Sequence, residues 1–128
     1  MAVSRDYLAY VLEQLADLAG LRSRRMFGGV GLYCEEIFFA IISDDTLYLR
    51  VDETSRAEFT SRGMQAFRPY ADRPQLSMSY FATPAEVLED ATQLLSWSRR
   101  AVRAAGAAAG AVRGPRRAPG RKSQRRSG

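Results

Sequence analysis

The stretch that decides how this chain folds is RRMFGGVGLY, Arg24 to Tyr33. Gly28, Gly29 and Gly31 fall within four positions, just behind Arg24 and Arg25. Glycine beside basic residues is the composition of a phosphate-cradling loop. A triphosphate-binding loop needs G-x-x-x-x-G-K-[ST], and there is no lysine after these glycines. A dinucleotide loop needs G-x-G-x-x-G opening a helix whose first amides hold the phosphate. Here the order is G-G-x-G. The next residues, Val30 to Cys34, alternate with the period of a strand. The glycines therefore read as backbone geometry: a turn, bulge or sharp bend between two strands, where positive φ or a missing side chain is required. Gly31 leaves space for an aromatic ring to lie across the strand.

Outward from this stretch the strand signals continue. Ile37 to Ser43, IFFAIIS, is a short apolar run rich in β-branched and aromatic residues. Asp44-Asp45 interrupts it. Leu47, Leu49 and Val51 then alternate with Tyr48 and Arg50. Connections this short favour antiparallel hairpins, which predicts a three- or four-stranded meander from about residue 24 to 52. Leu76 to Phe81 alternates again and predicts a further strand, after an irregular, proline-containing stretch over 65–74.

Helical spacing flanks the meander. Leu8, Val11, Leu12, Leu15, Leu18 and Ala19 predict a helix over 6–19, with Ser4 as N-cap and Gly20 as its stop. Asp52 is placed to cap a helix over 53–62, ended by Gly63. In TPAE, 83–86, Thr83 is positioned as a cap, Pro84 as the first helical residue and Glu86 as the third, the pattern of a capping box. A last helix from near Ala91 puts Leu94, Trp97 and Ala101 on one face and is expected to dock Trp97 on the sheet. The fold class read from this order is α+β: an antiparallel meander with an N-terminal, a middle and C-terminal helices packed on it.

Composition separates a body from a tail. Residues 1–98 carry nine arginines against all 14 acids; residues 99–128 carry nine arginines and Lys122 with no acid. The whole chain has a net charge of +5, yet the body is mildly acidic. From Gly106 onward Ala, Gly, Pro, Ser and Arg dominate, and such a segment buries too little to offset its ordering entropy. The expected organisation is a folded domain over 1–105 and a disordered basic tail over 106–128. Arginine in such excess beside alanine is also the product of a GC-rich coding sequence. The longest strongly apolar run, Ile37 to Ile42, is far short of the roughly 20 residues that span a bilayer. No signal peptide and no membrane segment are expected.

The residue types exclude several chemistries. The chain has no histidine and one cysteine, Cys34. That removes His-assisted nucleophiles, histidine and thiolate metal sites, and an intrachain disulfide. Glu35 and Glu36 beside Cys34 disfavour its thiolate, so Cys34 reads as a strand residue. The acidic pairs Glu35-Glu36, Asp44-Asp45 and Asp52-Glu53 sit where turns and helix starts need them. The tail is a candidate phosphate-binding segment through Arg99, Arg100, Arg103, Arg113, Arg116, Arg117, Arg121, Lys122, Arg125 and Arg126, without sequence preference. The aromatics Tyr33, Phe39, Tyr48, Tyr80 and Phe81 are a candidate stacking face, weighed against ordinary core packing.

A series of motifs, in this order, resembles the N-terminal domain of the TfoX (Sxy) family: RRMFGGVGLY, FFAII, DTLYLRVD, F-x-x-x-G-M-x-x-F, MSYFATPAEVLED, and a Trp-containing helix with Ala after it. The resemblance covers about Leu8 to Ala105. It implies a small α+β domain with an antiparallel sheet. It also implies a bacterial, cytoplasmic, non-enzymatic regulator of natural competence, acting in transcription through protein contacts and thought to work with the cyclic-AMP receptor protein. Two-domain members carry a separate C-terminal helical domain where this chain has its arginine-rich segment. The family commonly has a glycine where Glu35-Glu36 stands, so a longer or more strained hairpin is expected there. No catalytic, metal or cofactor residue carries over. Phe27, Gly28, Gly29, Gly31, Tyr33, Tyr48, Tyr80, Pro84 and Trp97 are expected to be structural. Direct nucleic-acid binding by the tail is the competing reading. A small-molecule site beside the sheet, near Cys34 or Tyr80, is a third. An exposed sheet edge or the last helix offers a homodimer contact.

Overall fold

The computed structural model describes residues 3–26, 28–67 and 79–117. In chain order the elements are α1 (Arg5–Gln14), β1 (Leu21–Met26), β2 (Gly29–Cys34), β3 (Ile37–Ser43), β4 (Thr46–Arg50), α2 (Glu53–Ser61), β5 (Tyr80–Ala82), α3 (Ala85–Leu88) and α4 (Ala91–Arg117). The strands form one antiparallel sheet in sequential order, β1-β2-β3-β4-β5. The class is α+β. Of the strand expected over 76–81, residues 76–78 lie outside the described residues, and β5 begins at Tyr80.

Tight turns hold the first four strands in register. Met26 pairs with Gly29, so only two residues separate the paired ends of β1 and β2. Gly28 has φ +75°, a conformation that costs a glycine little. Phe27 itself lies outside the described residues. A Cβ on Gly29 would run into the carbonyl oxygen of Ile42 on β3, a backbone atom that cannot step aside. A Cβ on Gly31 would lie 2.8 Å from both Met26 Sδ and Phe38 Cε1. The glycine stretch is therefore a hairpin whose second strand is approached closely by its neighbours. Asp44 and Asp45 both adopt left-handed φ, 55° and 53°, as a type I′ hairpin requires. The Glu35-Glu36 turn is short, not lengthened, with Cys34 paired to Ile37. Its strain falls on Glu35 at φ 57°, a region costing a non-glycine residue about 1 kcal/mol.

The sheet has two apolar faces. Val30, Leu32, Phe39, Ala40, Ile42, Leu47, Leu49 and Phe81 join Val11 of α1, Leu15 at its C-cap, and Leu94 and Ala101 of α4 in the main core. On the other face Ile41, Phe67 and Tyr80 are buried, with Phe38 and Tyr48 packed against them. A bulge in β3 interrupts the ladder: Leu32 pairs with Ala40 but Tyr33 with Phe38, leaving Phe39 as the extra residue.

Capping explains where the helices start. The Ser4 hydroxyl accepts from the Tyr7 N–H at 3.0 Å. Beyond Gln14 the expected helix tightens into i→i−3 bonds, Ala16 N–H to Glu13 and Leu18 N–H to Leu15, which still carry Leu18 into the core. Asp52 accepts from the Ser55 N–H at 2.8 Å, and the Ser55 hydroxyl accepts from the Asp52 N–H at 3.0 Å. The TPAE expectation needs correction. Pro84 is the N-cap of α3 and no side chain caps it. The Thr83 hydroxyl instead donates to the Leu47 carbonyl at 3.0 Å, because Thr83 is buried against β4, where that carbonyl is in reach. Glu86 pairs with Arg62 at 3.0 Å. A side-chain cap forms one helix later: Asp90 accepts from the Thr92 and Gln93 amides and from the Gln93 side chain.

The last helix runs continuously through Gly106 and Gly110 to Arg117. The tail expected over 106–128 thus falls partly on α4 and partly, at 118–128, outside the described residues. Extending a formed helix adds one bond per residue fixed, which carries α4 past two glycines that weaken a helix. Ala101, Ala104 and Ala105 are buried, and their small side chains let α4 lie close to the sheet.

Candidate functional site

The sheet and α4 arrange the expected functional residues into three places. The first is α4 itself. Arg99 and Arg103 are exposed, one helical turn apart. Arg100 is engaged: it bonds Glu58 at 2.8 Å and lies 5.0 Å from the Trp97 ring. Arg62 covers the same ring at 5.2 Å, so Trp97 sits between two guanidinium groups. Trp97 meets Phe59 of α2 edge-on at 5.0 Å, and Phe59 in turn meets Phe81 of β5. The tryptophan is thus wedged beside α2 and reaches the sheet through two phenyl rings. Arg113, Arg116 and Arg117 are positions on α4. Arg121, Lys122, Arg125 and Arg126 lie outside the described residues.

The second place is the sheet face away from α1 and α4. The candidate stacking set divides here. Phe39 and Phe81 lie in the main core. Tyr33, Tyr48 and Tyr80 share the opposite face with Phe38 and Phe67 in two sets of tilted rings: Tyr33–Phe38 at 5.1 Å with Phe38–Tyr80 at 5.7 Å, and Tyr48–Phe67 at 4.8 Å. Arg50 stands 5.6 Å from the Tyr80 ring. Burial pushes the Tyr80 hydroxyl's pKa upward, with Arg50 pulling it back. Sequence reasoning passes over Phe38 and Arg50. The signal is present in their strands' alternation, hidden for Phe38 by the one-residue bulge.

The third place is a pair of grooves on either side of the β2–β3 turn. One, of about 390 Å³, is lined by Leu18, Ala19, Cys34, Glu35, Arg99, Val102 and Arg103. The Cys34 thiol donates to the Ala19 carbonyl at 3.3 Å. Burial first, and Glu35 second, push its pKa upward, so the thiol form dominates at neutral pH. The other groove, of about 360 Å³, is bordered by Phe38, Arg50 and Tyr80 and by Ala105 and Ala108 of α4. Among the described residues no cluster of three or more His, Cys, Asp or Glu is placed to hold a metal ion. The acidic pairs sit in hairpin turns and at the α2 cap. No helix among the described residues is long and apolar enough to cross a membrane.

The arrangement defines a single-sheet α+β domain with exposed arginines on α4 and a second sheet face lined by aromatics. Its family is shown by comparison. The TfoX N-terminal domain matches residues 13–105, and the chain belongs to that family. The DNA transformation protein TfoX1 of Aliivibrio fischeri is 33% identical over 64 residues, which is 50% of this chain and 31% of that protein. The match therefore spans about a third of the relative's length.

Proposed function

We propose that this chain is a non-enzymatic regulatory domain that controls transcription of DNA-uptake genes through protein contacts in the bacterial cytoplasm. The observation that carries the reading is the family match over 13–105, which takes in the sheet, α2, α3 and the docked half of α4. The relative's own name, a DNA transformation protein, supplies the process. The residue types agree, since the chain has no histidine and its single thiol is held in its protonated form. The test is affinity capture on the full chain from a naturally transformable host. RNA polymerase or a transcription regulator should be recovered. If repeated capture retains neither, the proposal is wrong.

One observation favours a second reading, binding of nucleic-acid phosphates by α4. At 3.6 residues per turn, positions 99, 103, 113 and 117 fall within about 80° of the helix circumference. All four are positions on the one helix α4, which runs unbroken to Arg117. Phosphate binding there requires steep salt dependence, and loss of binding when the chain is cut near Gly106.

A further inference from the structure

The two edges of the sheet are finished differently. At β5 the backbone is covered: Phe67 N–H bonds the Tyr80 carbonyl and Ala82 N–H bonds the Gln65 carbonyl, both at 2.9 Å. This makes a bridge between Ala66 and Phe81 on the outer side of the strand. At β1 nothing comparable occurs among the described residues. The strand is six residues long, unbroken in register with β2, and Arg22, Ser23, Arg24 and Arg25 are all exposed. The bond from Glu35 N–H to the Gly20 carbonyl, 2.7 Å, sets the phase of the ladder. Pairs then alternate between bonded and non-bonded, so Arg22, Arg24 and Met26 bond β2 while Leu21, Ser23 and Arg25 turn their N–H and C=O outward. None of these outward groups is hydrogen-bonded to another described residue.

An open edge of this length is a template for another strand. A second copy is a poor occupant. Antiparallel pairing centred on Ser23 would set Arg22 opposite Arg24 twice, and like charges directly opposite are destabilising. The three arginines have no ion-pair partner among the described residues, and no acid occurs between Asp17 and Glu35. A nucleic acid would satisfy their charge but would leave the row of backbone donors and acceptors unpaired. An acidic polypeptide in extended form satisfies both. We propose that β1 is a docking edge for an extended acidic segment of a partner protein. The segment adds as a sixth strand, with carboxylates against Arg22 and Arg24, which share one face of β1. This names the contact surface for the proposed regulatory domain and rests on that function only for the partner's biological setting.

The experiment uses the full chain and a fluorescein-labelled peptide of alternating glutamate and threonine, about twelve residues long. Anisotropy should show saturable binding that weakens with salt. Methylating alternate peptide nitrogens should weaken it at least about tenfold, because the ladder bonds are lost. Ser23→Pro removes one outward N–H without touching a β2 bond and should weaken it similarly. Arg22→Glu/Arg24→Glu should do the same through charge. All variants are first checked for an unchanged circular-dichroism melt, and any that unfolds is replaced by Ser23 amide protection in the wild-type complex, read by hydrogen exchange. Arg99→Ala/Arg103→Ala, on α4, should leave binding within about twofold. Binding that tolerates backbone methylation, or that depends on Arg99 and Arg103, overturns the proposal. So does failure of the peptide to bind, including the case where a single-stranded oligonucleotide binds at β1 in its place. If the peptide fails while capture still recovers a regulator, the edge proposal falls and the regulatory reading stands. If the peptide binds and capture recovers nothing, the reverse holds.

Discussion

The two faces of the sheet are both apolar, yet they are held by different means. The face toward α1 and α4 is covered by helices and mixes aliphatic side chains, Leu32, Leu47 and Leu49 among them, all 1% exposed or less, with buried Phe39 and Phe81. The opposite face is built around five aromatic rings and one arginine, and Tyr33, Phe38 and Tyr48 there stay half-buried. The difference predicts that substitutions on the helix face cost more stability than substitutions at the half-buried rings of the aromatic face. The adjacent glycines carry the same contrast: Gly29 is confined by backbone, Gly31 by movable side chains of the aromatic face.

That contrast can be broken in order of severity. Gly29→Val forces a side chain onto the Ile42 carbonyl and should cost more than about 3 kcal/mol, seen as loss of a cooperative thermal melt. A folded variant with a normal melt would remove the hairpin from its central role. Leu49→Ala, in the core behind the helices, should cost about 2–5 kcal/mol in urea titration. Tyr48→Ala, one residue along on the other face, should cost about half as much or less. Equal losses would erase the distinction between the faces. Gly31→Ala should cost about 1 kcal/mol. Part of that should be recovered in a background of Met26→Ala, which vacates one of the two nearest atoms and leaves Phe38, and a double-mutant cycle measures the coupling.

The smallest effect concerns the caps on the helix side. Asp52→Ala should cost about 1 kcal/mol at pH 7. The Ser55 N–H holds the Asp52 carboxyl below its ordinary pKa. A depressed carboxyl contributes stability above its unfolded-state pKa of about 3.9 and loses it as pH falls through the folded value. The stabilities of Asp52→Ala and the parent should therefore converge as acid is added below about pH 4. A gap that persists unchanged at low pH would mean the capping carboxylate is not its source.

Strand order and hairpins are readable from the sequence because period-two alternation and short acidic turns are local signals. The α3 cap misleads for the opposite reason. Thr83 has the right neighbours for a capping box, but its hydroxyl is claimed by Leu47, 36 residues away, and only the packed sheet reveals that rival acceptor. The Asp90 cap is in plain view as aspartate three residues before Gln93, yet the stronger-looking TPAE overshadows it. In sequence Arg100 looks like any tail arginine. Its pairing with Glu58 depends on how α2 crosses α4, which no spacing along the chain encodes. The division of the aromatics between faces depends on one unpaired residue in β3, since a one-residue offset reverses every assignment beyond it.

That residue, Phe39, also has a consequence for how the domain can change in length over generations. Within a strand, gaining or losing a residue ordinarily swaps the layers of everything beyond it, which is why length variation gathers in loops. At Phe39 the extra residue is already absorbed by the bulge. Deleting it would restore a regular ladder, keep Ile37 and Phe38 on the faces they now occupy, and subtract a single phenyl ring from the core. Lineages of this domain can thus differ by one codon in the middle of a buried strand without exchanging its two layers.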